Sequence, residues 1–106
     1  MTKRFHVALA VPDLAAAISD FTHRLGVEPE VVAAGTYALF RTESLNVSLS
    51  EVRGAPAALR HLGFEDPNAP SFSEEKDASN IVWERFTADQ QHAEIDTRWP
   101  NSKWRK

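Results

Sequence analysis

The chain has 106 residues, of which 42% are hydrophobic and 25% are charged, which indicates one globular domain with a single core. Its formal net charge of −3 gives no electrostatic reason to expect a nucleic-acid partner. The absence of cysteine excludes disulfides, thiolate catalysis and cysteine-ligated metal sites, so a bound metal would need histidine, carboxylate, carbonyl or water ligands.

The N-terminal segment predicts a strand over residues 5–11. Bulky side chains alternate there with His6 and two alanines, so the histidine lies on the face opposite the bulky residues. No signal-peptide cleavage site follows, and no apolar run reaches the roughly 20 residues of a membrane-spanning helix. We therefore expect a cytoplasmic protein that does not contact a membrane.

A helix is predicted directly after this strand. Asp13 stands where an N-cap belongs, and Gly26 stands where the helix should end. Between them apolar residues recur at helical spacing and form one stripe, which consists of Leu14, Ile18, Phe21 and Leu25.

Three strand-like segments follow at residues 30–33, 37–41 and 45–51. In the last segment apolar and polar side chains alternate, which is typical of a sheet with one apolar and one polar face. Module one, residues 1–53, therefore has the order β-α-β-β-β. Residues 53–56 link it to a partial module two at residues 58–106, within a single domain of residues 1–106.

The second module begins by repeating the opening strand. Residues 59–65 again contain a histidine followed two positions later by a small residue, so the pair His61–Gly63 matches the pair His6–Ala8. Further along, residues 73–76 indicate the acidic first turn of a helix, with Val82, Trp83 and Phe86 on its apolar stripe. Residues 93–99 and 103–106 are predicted to form short strands.

The two repeated histidines are candidate metal ligands. Two such strands, brought side by side by a duplication, would place two imidazole nitrogens near one point, which suits a divalent metal. The alternative is that each histidine is a hydrogen-bonded strand residue without a ligand. His23 and His92 lie off the apolar stripes, and we expect both to be exposed.

The residue pattern leaves the third ligand open among four glutamates. Glu51 shares its face with the apolar residues of its strand and should point away from His6. Glu65 lies four residues beyond His61, which at about 3.3 Å per residue is too far to share an ion. The positions of Glu84 and Glu94 depend on how the C-terminal part folds.

With these features the sequence resembles the vicinal oxygen chelate superfamily, which includes glyoxalases, bleomycin-resistance proteins and extradiol dioxygenases. The resemblance rests on the segments FHVALAVPDL, AAAISDFTHRLGVEP and LRHLGFE, and it covers residues 4–65. Within the superfamily, TYALFRTESLNVSLS followed by LRHLGFE is most similar to the cadmium-inducible and organoarsenical carbon–arsenic lyase branch.

This resemblance implies an α+β fold in which paired βαβββ modules form a cupped mixed sheet, with helices on the outer face and an incomplete second module. His6 and His61 would bind a metal together with a glutamate of the second module, and Asn46 and Ser48 would contact the substrate. The implied cofactor is a divalent metal ion, with Fe²⁺ favoured and Mn²⁺, Ni²⁺ or Zn²⁺ as alternatives.

The chain departs from this family in two respects. It lacks the cysteine pair with which carbon–arsenic lyases of this branch hold trivalent arsenic, which argues against that activity. In the alignment that we favour, which needs no deletion and gives a helix after Pro70, the chain stops before the family's final glutamate. A second alignment shortens the middle of the module and matches residues 77–84 to the family's last turn and strand. Glu84 is then the third ligand.

Three functions are compatible with this resemblance. The first is a metal-dependent lyase or dioxygenase that acts on a small chelating substrate. The second is a non-catalytic small-molecule binding protein of the bleomycin-resistance type, and the third is a degenerate oligomeric module. A clipped second module leaves a sheet edge and an apolar face uncovered, so we expect a homodimer. Trp99 and Trp104 are candidates for its interface, or for packing within the chain.

Overall fold

The computed structural model describes residues 2–102 and residue 104. In this part of the chain, seven strands form one mixed sheet that is combined with two helices, which confirms the predicted α+β fold. The elements in chain order are β1 (Arg4–Val11), α1 (Leu14–Leu25), β2 (Val31–Ala33), β3 (Tyr37–Arg41), β4 (Leu45–Glu51), β5 (Ala58–Glu65), β6 (Ser73–Lys76), β7 (Val82–Phe86) and α2 (Ala88–Arg98).

The two halves of the sheet have the same arrangement around its centre. The strands lie in the order β2-β3-β4-β1-β5-β7-β6, with β1 and β5 antiparallel to each other. Strand β4 is parallel to β1 as β7 is parallel to β5, and β3 and β6 are antiparallel to β4 and β7. An approximate two-fold axis between β1 and β5 therefore relates the halves. Among the described residues, the second half has no counterpart of α1 or β2.

The first helix forms as the sequence predicts and covers the outer face of the first half. The Asp13 side chain accepts a hydrogen bond from the Ala16 amide, and Gly26 ends the helix with φ 73°. The helix contributes Leu14 to a buried cluster, whose other members are Val11, Ala38, Phe40, Val47 and Leu49. Glu51 also lies on this side, as expected, and accepts a hydrogen bond from the Leu14 amide at 2.9 Å.

Residues 73–86 form a strand hairpin, so the prediction of a helix there is wrong. The Asp77 carboxylate accepts hydrogen bonds from the amides of Ser79 and Ile81, and Asn80 adopts φ 63°, which together reverse the chain between β6 and β7. The spacing of Val82 and Phe86 fits a helical turn, but it equally fits alternate positions of a strand. The second alignment expects a turn and then a strand over residues 77–84, and the structure has a turn at Asp77 and Asn80 followed by β7, which contains Glu84.

The second helix starts after β7 and includes residues that were predicted to be a strand. Thr87 and Gln90 form a reciprocal capping box, a signal that fixes the start of α2 at Ala88. Residues 93–98 are therefore helical, and the strand predicted at 93–99 is wrong. The strand predicted at residues 103–106 lies outside the described residues, except for residue 104, which is not in a strand.

Helix α2 packs on the histidine face of the sheet, opposite to α1. Ile95 belongs to a buried cluster with residues of β2 and β3, and Trp104 completes it. Trp99 stacks on Tyr37 with ring centroids 4.3 Å apart. Both tryptophans thus pack against residues of their own chain. Neither helix of the described residues is long and apolar enough to cross a membrane.

The outer face of the second half carries an aromatic cluster. Phe64 contacts Phe5 and Trp83, with ring centroids 5.7 and 6.1 Å apart. No helix lies between β5 and β6 in sequence, whereas α1 follows β1 and contacts β3 and β4. The Phe64 side chain accordingly remains 36% exposed.

Candidate metal centre

Three side chains from the middle of the sheet meet on the histidine face. His6 on β1, His61 on β5 and Glu84 on β7 each offer one ligand atom, and these atoms lie within 4.8 Å of one another. Nε2 of His61 lies 3.0 Å from Nε2 of His6 and 3.1 Å from Oε1 of Glu84. Within residues 2–102 and 104, this is the one cluster of this kind.

The strand register explains why each histidine is followed by a small residue. His6 stands opposite Gly63, and Ala8 stands opposite His61, so each small residue leaves space for the imidazole of the other strand. Glycine is required at position 63 for a further reason. A Cβ atom there would overlap the backbone carbonyl of Glu84, its partner in the parallel pairing of β5 with β7. The close approach of these strands brings Glu84 to the histidines.

The distances from His61 to its two neighbours fit ligands of a single metal ion. Two ligand atoms at right angles on an ion, each about 2.1 Å from it, lie about 3.0 Å apart. The distances of 3.0 and 3.1 Å from His61 to its two neighbours match this value. Two histidines and one carboxylate on one side of an ion form the facial arrangement that is typical of non-haem Fe(II) sites.

The side chains of this cluster offer few donor hydrogens to one another. Nδ1 of His6 lies 2.8 Å from the side-chain oxygen of Asn46 and 3.1 Å from its backbone oxygen. Both oxygens only accept, so Nδ1 of the neutral ring carries the hydrogen and Nε2 presents a lone pair. Nε2 of His61 then has one hydrogen at most for two acceptors, His6 and Glu84. A cation bound among the three atoms would satisfy all of them.

A buried polar network fixes the orientation of Asn46. Its amide nitrogen donates to Oε1 of Glu65 at 2.8 Å and to Oε1 of Gln91 at 2.7 Å. Because an ionised carboxylate only accepts, the nitrogen must face Glu65 and the oxygen must face His6. Asn46 thereby selects the tautomer of His6 that can bind a metal through Nε2.

Glu65 is in turn held by two arginines. Arg41 donates to both of its oxygens at 2.9 and 2.8 Å, and Arg4 donates to Oε2 at 2.8 Å. Burial opposes ionisation of Glu65, but the hydrogen bonds from Arg41 and Asn46 outweigh it, and the pKa of this carboxyl lies below its ordinary value. Burial also lowers the pKa of His6, which favours the neutral ring needed for metal binding.

A cavity of about 350 Å³ opens beside the three ligands, between the sheet and α2. Ser48 lines it from β4, and Ile95 and Trp99 line it from the C-terminal segment. Its aromatic side chains are Tyr37, Phe72, Phe86 and Trp99. Burial raises the pKa of Tyr37, so this phenol stays protonated at neutral pH. The cavity has the size and the mixed lining of a small-molecule site.

The structure brings together most of the residues that the sequence singled out. His6, His61 and Glu84 meet, and Ser48 lies on the cavity wall beside them. Asn46 is fully buried behind His6 and is not part of the cavity lining. It therefore orients the His6 ring and does not face the cavity, where the resemblance would place it.

The remaining candidates lie apart from the three ligand atoms. Glu65 is engaged by arginines, and Glu94 lines the cavity from α2 without joining the cluster. His23 is exposed as predicted. The prediction for His92 is wrong, because its ring is half-buried and lies 2.7 Å from the backbone oxygen of Trp104.

Apart from Glu94, sequence reasoning missed the cavity residues of α2, including Gln91 and its contact with Asn46. The signal for the helix was present in the sequence T-A-D-Q, whose Thr87 and Gln90 form the capping box. No alternation pattern points to Arg60, which also lines the cavity. Comparison with protein-family models and with curated proteins finds no match for this chain.

Proposed function

We propose that this protein is a small metal-dependent enzyme of the vicinal oxygen chelate type, a lyase or dioxygenase that acts on a chelating substrate. The observation that carries the proposal is a pair of distances: Nε2 of His61 lies 3.0 Å from Nε2 of His6 and 3.1 Å from Oε1 of Glu84. Two ligand atoms at right angles on one ion have about this separation. The fit of these donors favours a divalent ion, with Fe²⁺ first and Mn²⁺, Ni²⁺ or Zn²⁺ as alternatives.

Bound there, such an ion would supply Lewis-acid or redox chemistry to a pair of substrate oxygens. The protein's own contribution is to position the metal ligands and the substrate. Asn46 holds the ring of His6, and residues of α2 form one wall of the cavity. Tyr37, protonated because of its burial, can donate a hydrogen bond to a bound oxygen.

A binding protein without catalysis is the second candidate. The observation in its favour is the aromatic part of the cavity lining, which provides apolar contact area for a ligand whether or not a metal is present. The homodimer that we propose rests on the aromatic cluster around Phe64, which no helix of its own half covers. The cytoplasmic location stays a prediction.

Metal titration by calorimetry tests the proposal directly. Wild type should bind one divalent ion per chain, with Fe²⁺ titrated anaerobically. His6→Gln, His61→Gln and Glu84→Gln should each weaken binding more than tenfold, or by about 1.4 kcal/mol, because each removes a ligand. His23→Gln is the matched control, since this exposed histidine lies on α1.

Two outcomes would decide against the enzyme. If no ion binds, or if binding is indifferent to all three substitutions, the histidines are structural. If the same metal-free protein then binds small aromatic molecules in the cavity, the second candidate takes precedence. With metal bound, turnover of chelating diols under O₂ or under anaerobic conditions separates a dioxygenase from a lyase.

A further inference from the structure

Strand β5 contains an irregularity directly beside the metal ligand His61. His61 pairs with Ala8 and Leu59 pairs with Leu9, so Arg60 is an extra residue between two consecutive partners on β1. An extra residue of this kind is a β-bulge, which redirects side chains relative to the strict alternation of a strand. Strict alternation would send Arg60 to the face opposite His61.

The bulge instead places Arg60 on the histidine face. Its Nη1 donates to Oγ of Ser50 at 3.0 Å, and Ser50 lies on β4, two positions beyond Ser48. Since β1 lies between β4 and β5, the arginine reaches across β1 on the cavity side. Ala10, the partner of Ser50 on β1, is small enough to leave that path open.

Arg60 brings positive charge to the cavity that is not matched by an ion pair. Both Arg60 and Arg98 line the cavity, and both also line the shallower cleft that adjoins it beside Trp99. Arg98 has a carboxylate partner in Glu94 at 3.7 Å. Among the described residues, Arg60 forms no ion pair. The side-chain hydrogen bond of Arg60 goes to the neutral hydroxyl of Ser50.

We infer that the cavity takes a chelating molecule that also carries a separate anionic group, and that Arg60 binds that group. The inference rests on the function proposed above, because it assigns the substrate class of the same site. A guanidinium presents several donors in a planar fork, which matches the oxygens of a carboxylate. A metal ion held by His6, His61 and Glu84 would bind the chelating end of the molecule, while Arg60, assisted by Arg98, would bind the anionic group at the open side.

Hydroxamates provide a chelator of adjustable length for the test. The Ni²⁺-loaded protein is titrated with acetohydroxamate and with ω-carboxyalkyl hydroxamates of increasing chain length. Each acid is compared with the alkyl hydroxamate of equal length, so that only the charge differs. We expect at least a tenfold preference for the acid at one length or more. Arg60→Gln should abolish this preference while leaving Ni²⁺ affinity and acetohydroxamate affinity unchanged.

Each result has one reading. A protein that takes up no metal overturns both the proposed function and this inference. Metal uptake without hydroxamate binding, or equal affinity for acid and alkyl probes at every length, overturns the anion site alone. A preference that survives Arg60→Gln also overturns the role of this residue. Arg24→Gln on α1 is the control, because it removes an exposed arginine far from the histidine face and should change nothing.

Discussion

The side-chain oxygen of Asn46 lies 2.8 Å from Nδ1 of His6, on the opposite side of the imidazole from the nitrogen that faces His61. This contact determines which nitrogen of His6 can bind a metal. It depends on Glu65, because that carboxylate fixes which end of the Asn46 amide faces the histidine. Affinity at the metal centre should therefore depend on residues that do not touch the ion.

Asn46→Leu is expected to weaken metal binding by about 10- to 100-fold, the usual loss when the partner of a ligating histidine is removed. Leucine has a similar volume but offers no acceptor to His6. Calorimetric titration measures the effect, and the melting temperature reports any general loss of stability. Asn68→Leu serves as the control, since this exposed residue contributes only its backbone amide to a hydrogen bond. Unchanged affinity in Asn46→Leu would contradict the positioning role.

Glu65 should make the stability of the protein dependent on acid pH. Its pKa in the folded state lies below the ordinary value of 4.5, so its contribution is present above about pH 4.5 and is lost as pH falls through the folded pKa. Glu65→Gln removes the charge that pairs with Arg4 and Arg41, which we expect to cost about 3 kcal/mol of unfolding free energy at pH 7.

The difference in melting temperature between wild type and Glu65→Gln should accordingly be largest at neutral pH and shrink below pH 4. Glu28→Gln, at an exposed position before β2, should change the melting temperature little at either pH. A difference that stays constant from pH 7 to pH 3 would show that the charge of Glu65 is not what stabilises the network.

Gly63→Ala should disturb the metal centre without touching any ligand side chain. The new Cβ would overlap the Glu84 carbonyl, so β7 must move away from β5 and carry Glu84 with it. We expect at least tenfold weaker metal binding together with a lower melting temperature. Gly54→Ala is a useful comparison, because its φ of 80° makes alanine strained, by about 1 kcal/mol, in a place with open space around it. It should lower stability but leave metal affinity intact.

The proposed homodimer predicts a solution mass twice that of the 11.8 kDa chain. Phe64→Glu places a charge in the centre of the aromatic cluster and should raise the dimer dissociation constant at least tenfold in sedimentation equilibrium. Val52→Glu changes another exposed apolar residue outside this cluster and should leave association unchanged. A monomeric wild type at micromolar concentration would rule out this dimer.

Much of the first half of the fold is readable from the sequence because its signals are local. Asp13, the apolar stripe and Gly26 define α1 within one segment, and alternation defines β1 and β4. In the second half, Val82 and Phe86 satisfy both helical and strand periodicity. The choice is made by the turn at Asp77 and Asn80 and by pairing with β5, which is a long-range contact.

The candidate site shows the same division. The repeat of a histidine and a small residue predicts that His6 and His61 are related, but only the register shows that each small residue faces the other histidine. Glu84 emerges as the neighbour of both histidines once β7 is known to lie beside β5. Arg60 could not be predicted at all, because a bulge leaves no trace in the alternation of the sequence.

The approximate two-fold relation between the halves has one exception at the metal centre. Ser48 stands beside Ala8 as Glu84 stands beside Gly63, so serine occupies the place where symmetry would put a second carboxylate. A fully symmetric site would offer four protein ligands to one ion and leave it little room for anything else. The departure from symmetry at Ser48 creates a directional site, whose protein ligands lie on one side and whose open side faces the cavity that Ser48 lines.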